Sequence, residues 1–136
     1  MSAMTGGCAC GAVRYEITAA PVAELHCQCG KCRKLSGTGH TDLMAVPRDA
    51  VKLTGKLASW SYVADSGATA TRGHCPNCGS PVSGESSGMP GFLGIMAGSL
   101  DDPSLFKPQA AVFTELGYAW DALTEGLPRF PRMPPM

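Results

Sequence analysis

Short runs in which apolar and polar residues alternate set the pattern of this chain. In AVRYEIT (12–18), Val13, Tyr15 and Ile17 fall on one side and Arg14, Glu16 and Thr18 on the other. That period of two marks a strand with one buried face. DLMAVP (42–47), VKLTG (51–55), ASWSY (58–62), ATATRGH (68–74), FLGIMAG (92–98) and AAVFTEL (110–116) are further strand candidates, separated by Gly, Pro, Asp and Ser. Short strands broken by turn residues every ten positions or so predict an all-β sandwich or barrel. No long segment has the 3.6-residue period of a helix; at most one helical turn is expected around CRKLSG (32–37). Seventeen glycines and eleven prolines fit a chain of tight turns. The tail GLPRFPRMPPM is expected to run extended over the surface, since proline lacks the N–H that a central strand needs.

The length of 136 residues predicts one domain with a modest core. No repeat or low-complexity linker divides it. Charged residues are 16% and the formal net charge is zero. A general nucleic-acid binder needs a clustered basic face, so that class is not expected. The start MSAMTGG lacks the basic and apolar regions of a signal peptide. The longest apolar run falls far short of the roughly 20 residues that span a bilayer. The expectation is a soluble cytoplasmic protein without a membrane partner.

Seven cysteines change the picture. In an exported chain they would read as disulfides, but the count is odd and no export signal is seen. They fall in three groups: Cys8 and Cys10 in GCACG, Cys27, Cys29 and Cys32 in HCQCGKC, and Cys75 and Cys78 in HCPNCGS. CPNCG is the most specific of these. A C-x-x-C pair followed by glycine makes a knuckle with both sulfurs facing one metal, and Gly79 can take the positive φ the turn demands. The plainer alternatives are two buried free thiols, or a redox pair. A redox pair expects to open a helix in a βαβ unit, whereas this one lies between strand candidates. In a strand, Cys8 and Cys10 would point to the same side and could grip one ion together. The central group combines both spacings, and its three sulfurs fit three corners of a tetrahedron. Four ligands close a structural zinc site and three leave it open, so seven divides into one of each. Spacing does not decide which pairs combine: Cys29 and Cys32 with Cys75 and Cys78 would also make a respectable ribbon.

Taken together, GGCACGAVRYEI, HCQCGKCRKLSG, HCPNCGSPV, MAGSLDDP and WDALTEGLPRFP resemble the glutathione-dependent formaldehyde-activating (Gfa) family, a domain class also found in centromere protein V. The likeness covers roughly residues 5 to 131 of a single domain spanning 1–136, with residues 41 to 72 matching only loosely. It implies a mainly β, Mss4-like fold of short antiparallel strands packed around zinc sites, with little helix. It further implies two zinc ions per chain: a structural one held by Cys8, Cys10, Cys75 and Cys78, and a catalytic one held by Cys27, Cys29 and Cys32 with its fourth position open. The implied activity is that of a carbon–sulfur lyase on a thiol–aldehyde adduct such as S-(hydroxymethyl)glutathione, with glutathione and an aldehyde as partners and no redox cofactor. Lys31, Arg33 and Lys34 surround the open site. They read either as ordinary solvated charge or as attractors for the carboxylates of a glutathione-like anion, Arg33 foremost because its fork holds a carboxylate bidentately.

His26 and His74 each precede a ligand cysteine and are expected to point away from the metal. His40 is a candidate fourth ligand or proton carrier at the open site. Trp60, Trp120, Phe92 and Phe113 read most simply as core. Against the enzyme stand a zinc-stabilised binding module or small-thiol carrier, and an iron or redox sensor at the three-cysteine site.

Overall fold

Where side chains alternate, the chain forms strands, and the computed structural model, which describes residues 3–134, has ten of them. They are β1 Met4–Gly7, β2 Arg14–Ile17, β3 Ala23–Cys27, β4 Thr41–Pro47 and β5 Val51–Thr54. β6 Ala58–Val63, β7 Thr69–His74, β8 Pro81–Ser86, β9 Phe92–Met96 and β10 Ala110–Val112 follow. The one α-helix among the described residues, α1 (Gly30–Ser36), is two turns rather than one. The expected mainly β fold is the fold observed.

Two sheets stack. β1, β2 and β5 form a three-stranded antiparallel sheet, and the larger sheet runs β10-β3-β4-β9-β8-β7-β6. The alternation in β2 does what it predicts: Tyr15 and Ile17 are buried while Arg14 and Glu16 are exposed. They meet Met44, Val46, Leu93 and Ile95 from β4 and β9, all in one apolar cluster with Val13, Val82 and Cys75. This cluster fills the space between the sheets, with apolar area leaving water as its driving force.

Directly opposed residues in antiparallel strands share a face, so the register assigns the other face of the large sheet. Cys27 pairs with Thr41, Leu43 with Met96, and Ala45 with Gly94. Gly94 pairs with Gly84, Gly84 with Arg72, and Arg72 with Trp60. This outer face therefore carries Cys27, a row of small residues and Arg72. Gly94 must be small: a Cβ there would stand 2.4 Å from the Gly84 carbonyl oxygen.

Several expectations are corrected. Cys8 and Cys10 lie in the turn after β1, not in a strand. FLGIMAG and AAVFTEL end sooner, in 3-10 turns at Ala97–Ser99 and Thr114–Leu116. Trp60 and Trp120 are not core: they are 49% and 66% exposed, each stacked on a tyrosine, Tyr62 and Tyr118. Phe92 and Phe113 are half-buried, and Phe113 takes a left-handed φ of 55° at the end of β10. β10 pairs with β3 in parallel, an exception to the antiparallel plan. The tail does more than cover surface: Phe130 N–H donates to Ala111 O, and Ala111 N–H to Pro128 O, extending the sheet beyond β10. The end of the tail, Pro135 and Met136, lies outside the described residues.

Candidate metal centres

The turn after β1 and the knuckle between β7 and β8 bring four thiols to one place. Cys8, Cys10, Cys75 and Cys78 offer sulfurs that all lie within 4.8 Å of one another. Gly79, with φ 78°, closes the knuckle, its N–H donating to the Cys75 carbonyl at 2.9 Å. Backbone and amide N–H groups point at the sulfurs: Val13 N to Cys8 Sγ at 3.2 Å, and Asn77 Nδ2 to Cys10 Sγ at 3.3 Å. Such donors spread thiolate charge. A hydrogen bond with the Ser80 hydroxyl is the main reason the Cys78 thiol is held down to about 5.

The donor set and its spacing fit zinc. A tetrahedron with zinc–sulfur bonds of about 2.3 Å has edges of about 3.8 Å. Cys8 and Cys10 stand 3.6 Å apart, and Cys10 and Cys75 3.8 Å. The alternative ribbon, in which Cys29 and Cys32 join the knuckle, is not the grouping found.

The second cluster is built from the end of β3 and the start of α1. Cys27, Cys29 and Cys32 also lie within 4.8 Å of one another. Cys29 caps the helix, its sulfur accepting from Cys32 N–H at 3.2 Å, while Cys32 is buried on the first turn. The second cluster, like the first, could hold a metal ion. Hydrogen bonds with Cys27 and Cys29, and then the charge of Arg72, hold the Cys32 thiol far below its ordinary range. Cys27 is pushed the other way, first by its hydrogen bonds with Cys29 and Cys32 and then by burial.

Arg72 had no signal in the sequence beyond being the one cation in a strand leading to the knuckle. Its Nη2 donates to Cys32 Sγ at 3.1 Å and its Nε to the Tyr62 hydroxyl at 3.2 Å. Burial alone would lower the pKa of the guanidinium, but the Cys32 charge and hydrogen bond raise it on balance.

The three cations expected around the cluster are differently placed. Lys31 lies over the Tyr62 ring at 5.5 Å and Arg33 over the Tyr118 ring at 5.3 Å. Arg33 Nε is buried with no hydrogen-bond partner. Lys34 is exposed.

His40 is not poised as a fourth ligand. Its Nε2 faces Asp42 Oδ1 at 3.1 Å and its Nδ1 faces Asp121 at 2.8 Å, so carboxylates occupy both nitrogens. Those hydrogen bonds, Asp42 first, raise its pKa to about 9. His26 is buried, donates from Nδ1 to Asp42 at 2.6 Å, and receives the Thr124 hydroxyl on Nε2 at 3.0 Å. The register puts His26 and Asp42 on the face opposite Cys27. His26, His40 and Asp42 also lie within metal-ligand reach of one another, yet their mutual hydrogen bonds account for the arrangement without an ion. Asp121, 5% exposed, further accepts from Gln28 Nε2 at 3.0 Å, tying the segment after β10 to the residue between Cys27 and Cys29.

A cleft of about 690 Å³ is lined by Cys8 of the first cluster together with Arg14, Asp101, His40, Asp42 and Arg72. His74 also lines it.

Residues 3–116 match the family described as "Glutathione-dependent formaldehyde-activating enzyme". The chain belongs to this family. Over 74 residues it is 42% identical to a protein of Penicillium rubens that carries the same family name; the match covers 53% of this chain and 38% of that relative. The chain thus spans well under half of the relative's length. A crystal structure of a Rhodobacter sphaeroides protein superposes with a TM-score of 0.58 at 19% identity, over 72% of this chain and 88% of that one. This likeness concerns the fold alone. The two thiol clusters are groups able to hold metal. No helix among the described residues is long and apolar enough to cross a membrane.

Proposed function

We propose that this member of the formaldehyde-activating family is a carbon–sulfur lyase that makes and breaks thiol–aldehyde adducts such as S-(hydroxymethyl)glutathione, with two zinc ions per chain. Cys8, Cys10, Cys75 and Cys78 hold a structural ion and Cys27, Cys29 and Cys32 a second one with an open position. Zinc bound there supplies a site at which a substrate thiol loses its proton near neutral pH.

The observation that carries the reading is the set of three clustered thiols with the Arg72 guanidinium 3.1 Å from Cys32. The guanidinium offsets the excess negative charge of three thiolates. Its remaining N–H groups can hold a substrate oxygen or carboxylate beside them. Glutathione, with two carboxylates and one ammonium, suits the cleft that Arg72 borders. Arg14 is already paired with Asp101 there, at 2.9 Å, so Arg72 is the cation left to meet an incoming anion. Arg33, Lys31 and Lys34 lie on α1, the helix that carries Cys32, and add positive charge on that side of the cluster.

The direct test is the exchange rate of formaldehyde between free and glutathione-bound forms, followed by magnetisation-transfer NMR on the zinc-loaded chain. Acceleration above the uncatalysed rate, abolished by Cys29→Ser, is the expected result. Thiol binding without acceleration would leave a small-thiol carrier instead.

A further inference from the structure

The outer face of the large sheet carries a groove that formaldehyde does not need. The register lines up Ala45, Gly94, Gly84 and Arg72 across β4, β9, β8 and β7. This row of small residues is the floor. Leu43 and Met96 flank it on one side and Phe92 on the other, along an open groove of about 190 Å³. Among the described residues the charged side chains of its lining are Arg72 and Glu85, and Glu85 is paired with Arg48 at 3.3 Å.

One end of the groove is Arg72 with Tyr62, and the far side of Arg72 is bonded to Cys32. The apolar groove and the three-thiol cluster are therefore two sides of one guanidinium, on one face of one sheet. The volume is about six times the share of a water molecule in the liquid. That is far more than the one-carbon aldehyde occupies and too little for a charged tripeptide, whose two carboxylates would have to share Arg72, the one cation of the lining among the described residues. It suits an alkyl chain, which gains by leaving water for such a surface.

We infer that the aldehyde half of the substrate carries an apolar chain, and that the groove floored by Ala45, Gly94 and Gly84 selects it. This rests on the reading of the three-thiol cluster given above. In the forward direction a sulfur lone pair of the glutathione thiolate forms the C–S bond to the aldehyde carbon. The C=O π pair moves to oxygen, which takes a proton from solvent. In reverse the hydroxyl proton returns to solvent and the C–S pair returns to sulfur. The alkyl chain lies in the groove throughout, with the reacting carbon at the Arg72 end.

Two measurements on the zinc-loaded full chain test this. The first compares the acceleration of adduct exchange for hexanal and formaldehyde, each relative to its uncatalysed rate. Hexanal should be favoured by at least tenfold in kcat/KM. Ala45→Leu and, independently, Ala70→Leu, which both fill the groove, should lower the hexanal-to-formaldehyde ratio by tenfold or more. The second is titration with hexan-1-ol, which has the chain but no carbonyl, read from backbone amide shifts. The Gly84 and Gly94 amides should move, and either leucine variant should suppress the movement. Acceleration with formaldehyde alone, an unchanged ratio in both variants, or hexanol shifts scattered away from Gly84 and Gly94 would overturn the inference and leave the lyase reading standing. No acceleration with either aldehyde would overturn the lyase reading, and the inference with it.

Discussion

The guanidinium of Arg72 on β7 lies 3.1 Å from the sulfur of Cys32 on α1, forty positions away in the chain. Three strand pairings set this contact: Trp60 opposite Arg72, Arg72 opposite Gly84, and Gly84 opposite Gly94. The sheet thus delivers one cation to the three-thiol cluster.

Arg72→Met is expected to leave the fold intact, since its long stem still covers Gly84. Removing a group that supports a metal cluster typically lowers activity by roughly tenfold to a hundredfold. Adduct exchange should fall by that factor and glutathione should bind more weakly. Arg72→Lys should restore part of the charge effect and little of the bidentate geometry. Exchange kinetics with circular dichroism as the fold control decide it; a Met variant with unaltered kinetics would remove Arg72 from the mechanism.

The two cysteine sets should fail differently. Binding at a closed four-thiolate site is largely folding energy, on the order of 10 kcal/mol. Cys75→Ser, at a fully buried position in the core, should give unfolded or insoluble chain. Cys29→Ser should fold and lack the second metal. Chelator titration of the unmutated chain should then release one ion well before the other. Simultaneous loss of both would contradict a closed and an open site.

His40 sets a pH dependence with a definite sign. Its folded-state pKa, raised to about 9 by Asp42 and Asp121, exceeds the ordinary value of about 6.5. The imidazolium therefore stabilises the fold fully below about pH 6.5, and that contribution is lost as the pH rises through about 9. Urea midpoints between pH 6 and 10 should decline in the unmutated chain and stay flatter in His40→Gln. Asp121→Asn, which leaves a buried partner of the pair unmatched, should cost roughly 3 kcal/mol at pH 6. A slope unchanged in His40→Gln would show that another group titrates.

The parts of this site that were readable from sequence are the local ones. C-x-x-C-G and C-x-C spacings fix which sulfurs face together within a few residues, whatever the strands do. The CAC pair converges even though it lies in a turn. Strands with a clear inward face, such as β2, were equally plain. β1 (MTGG), β3 (AELHC) and β8 (PVSGES) gave no strand signal. Gly and Pro interrupt the first and last, and β3 lacks alternation. Arg72, Asp42 and Asp121 were missed for a different reason. Their partners lie far along the chain, and only the register of the large sheet and the docking of the segment after β10 bring them in. Trp60 and Trp120 misled because aromatic bulk usually means core, whereas here each stacks on a tyrosine at the surface beside a cation.

In the proposed mechanism the three-thiol cluster presents an open metal position to a substrate thiol. Cobalt in place of zinc makes that position visible. Titrating glutathione into the cobalt-loaded chain should strengthen the sulfur-to-metal charge-transfer absorption and release a proton. S-Methylglutathione, which cannot become a thiolate, should produce no such change, and Cys29→Ser should not respond to glutathione. An absorption spectrum indifferent to glutathione, or one that responds equally to the S-methyl analogue, would contradict the open thiol-binding site.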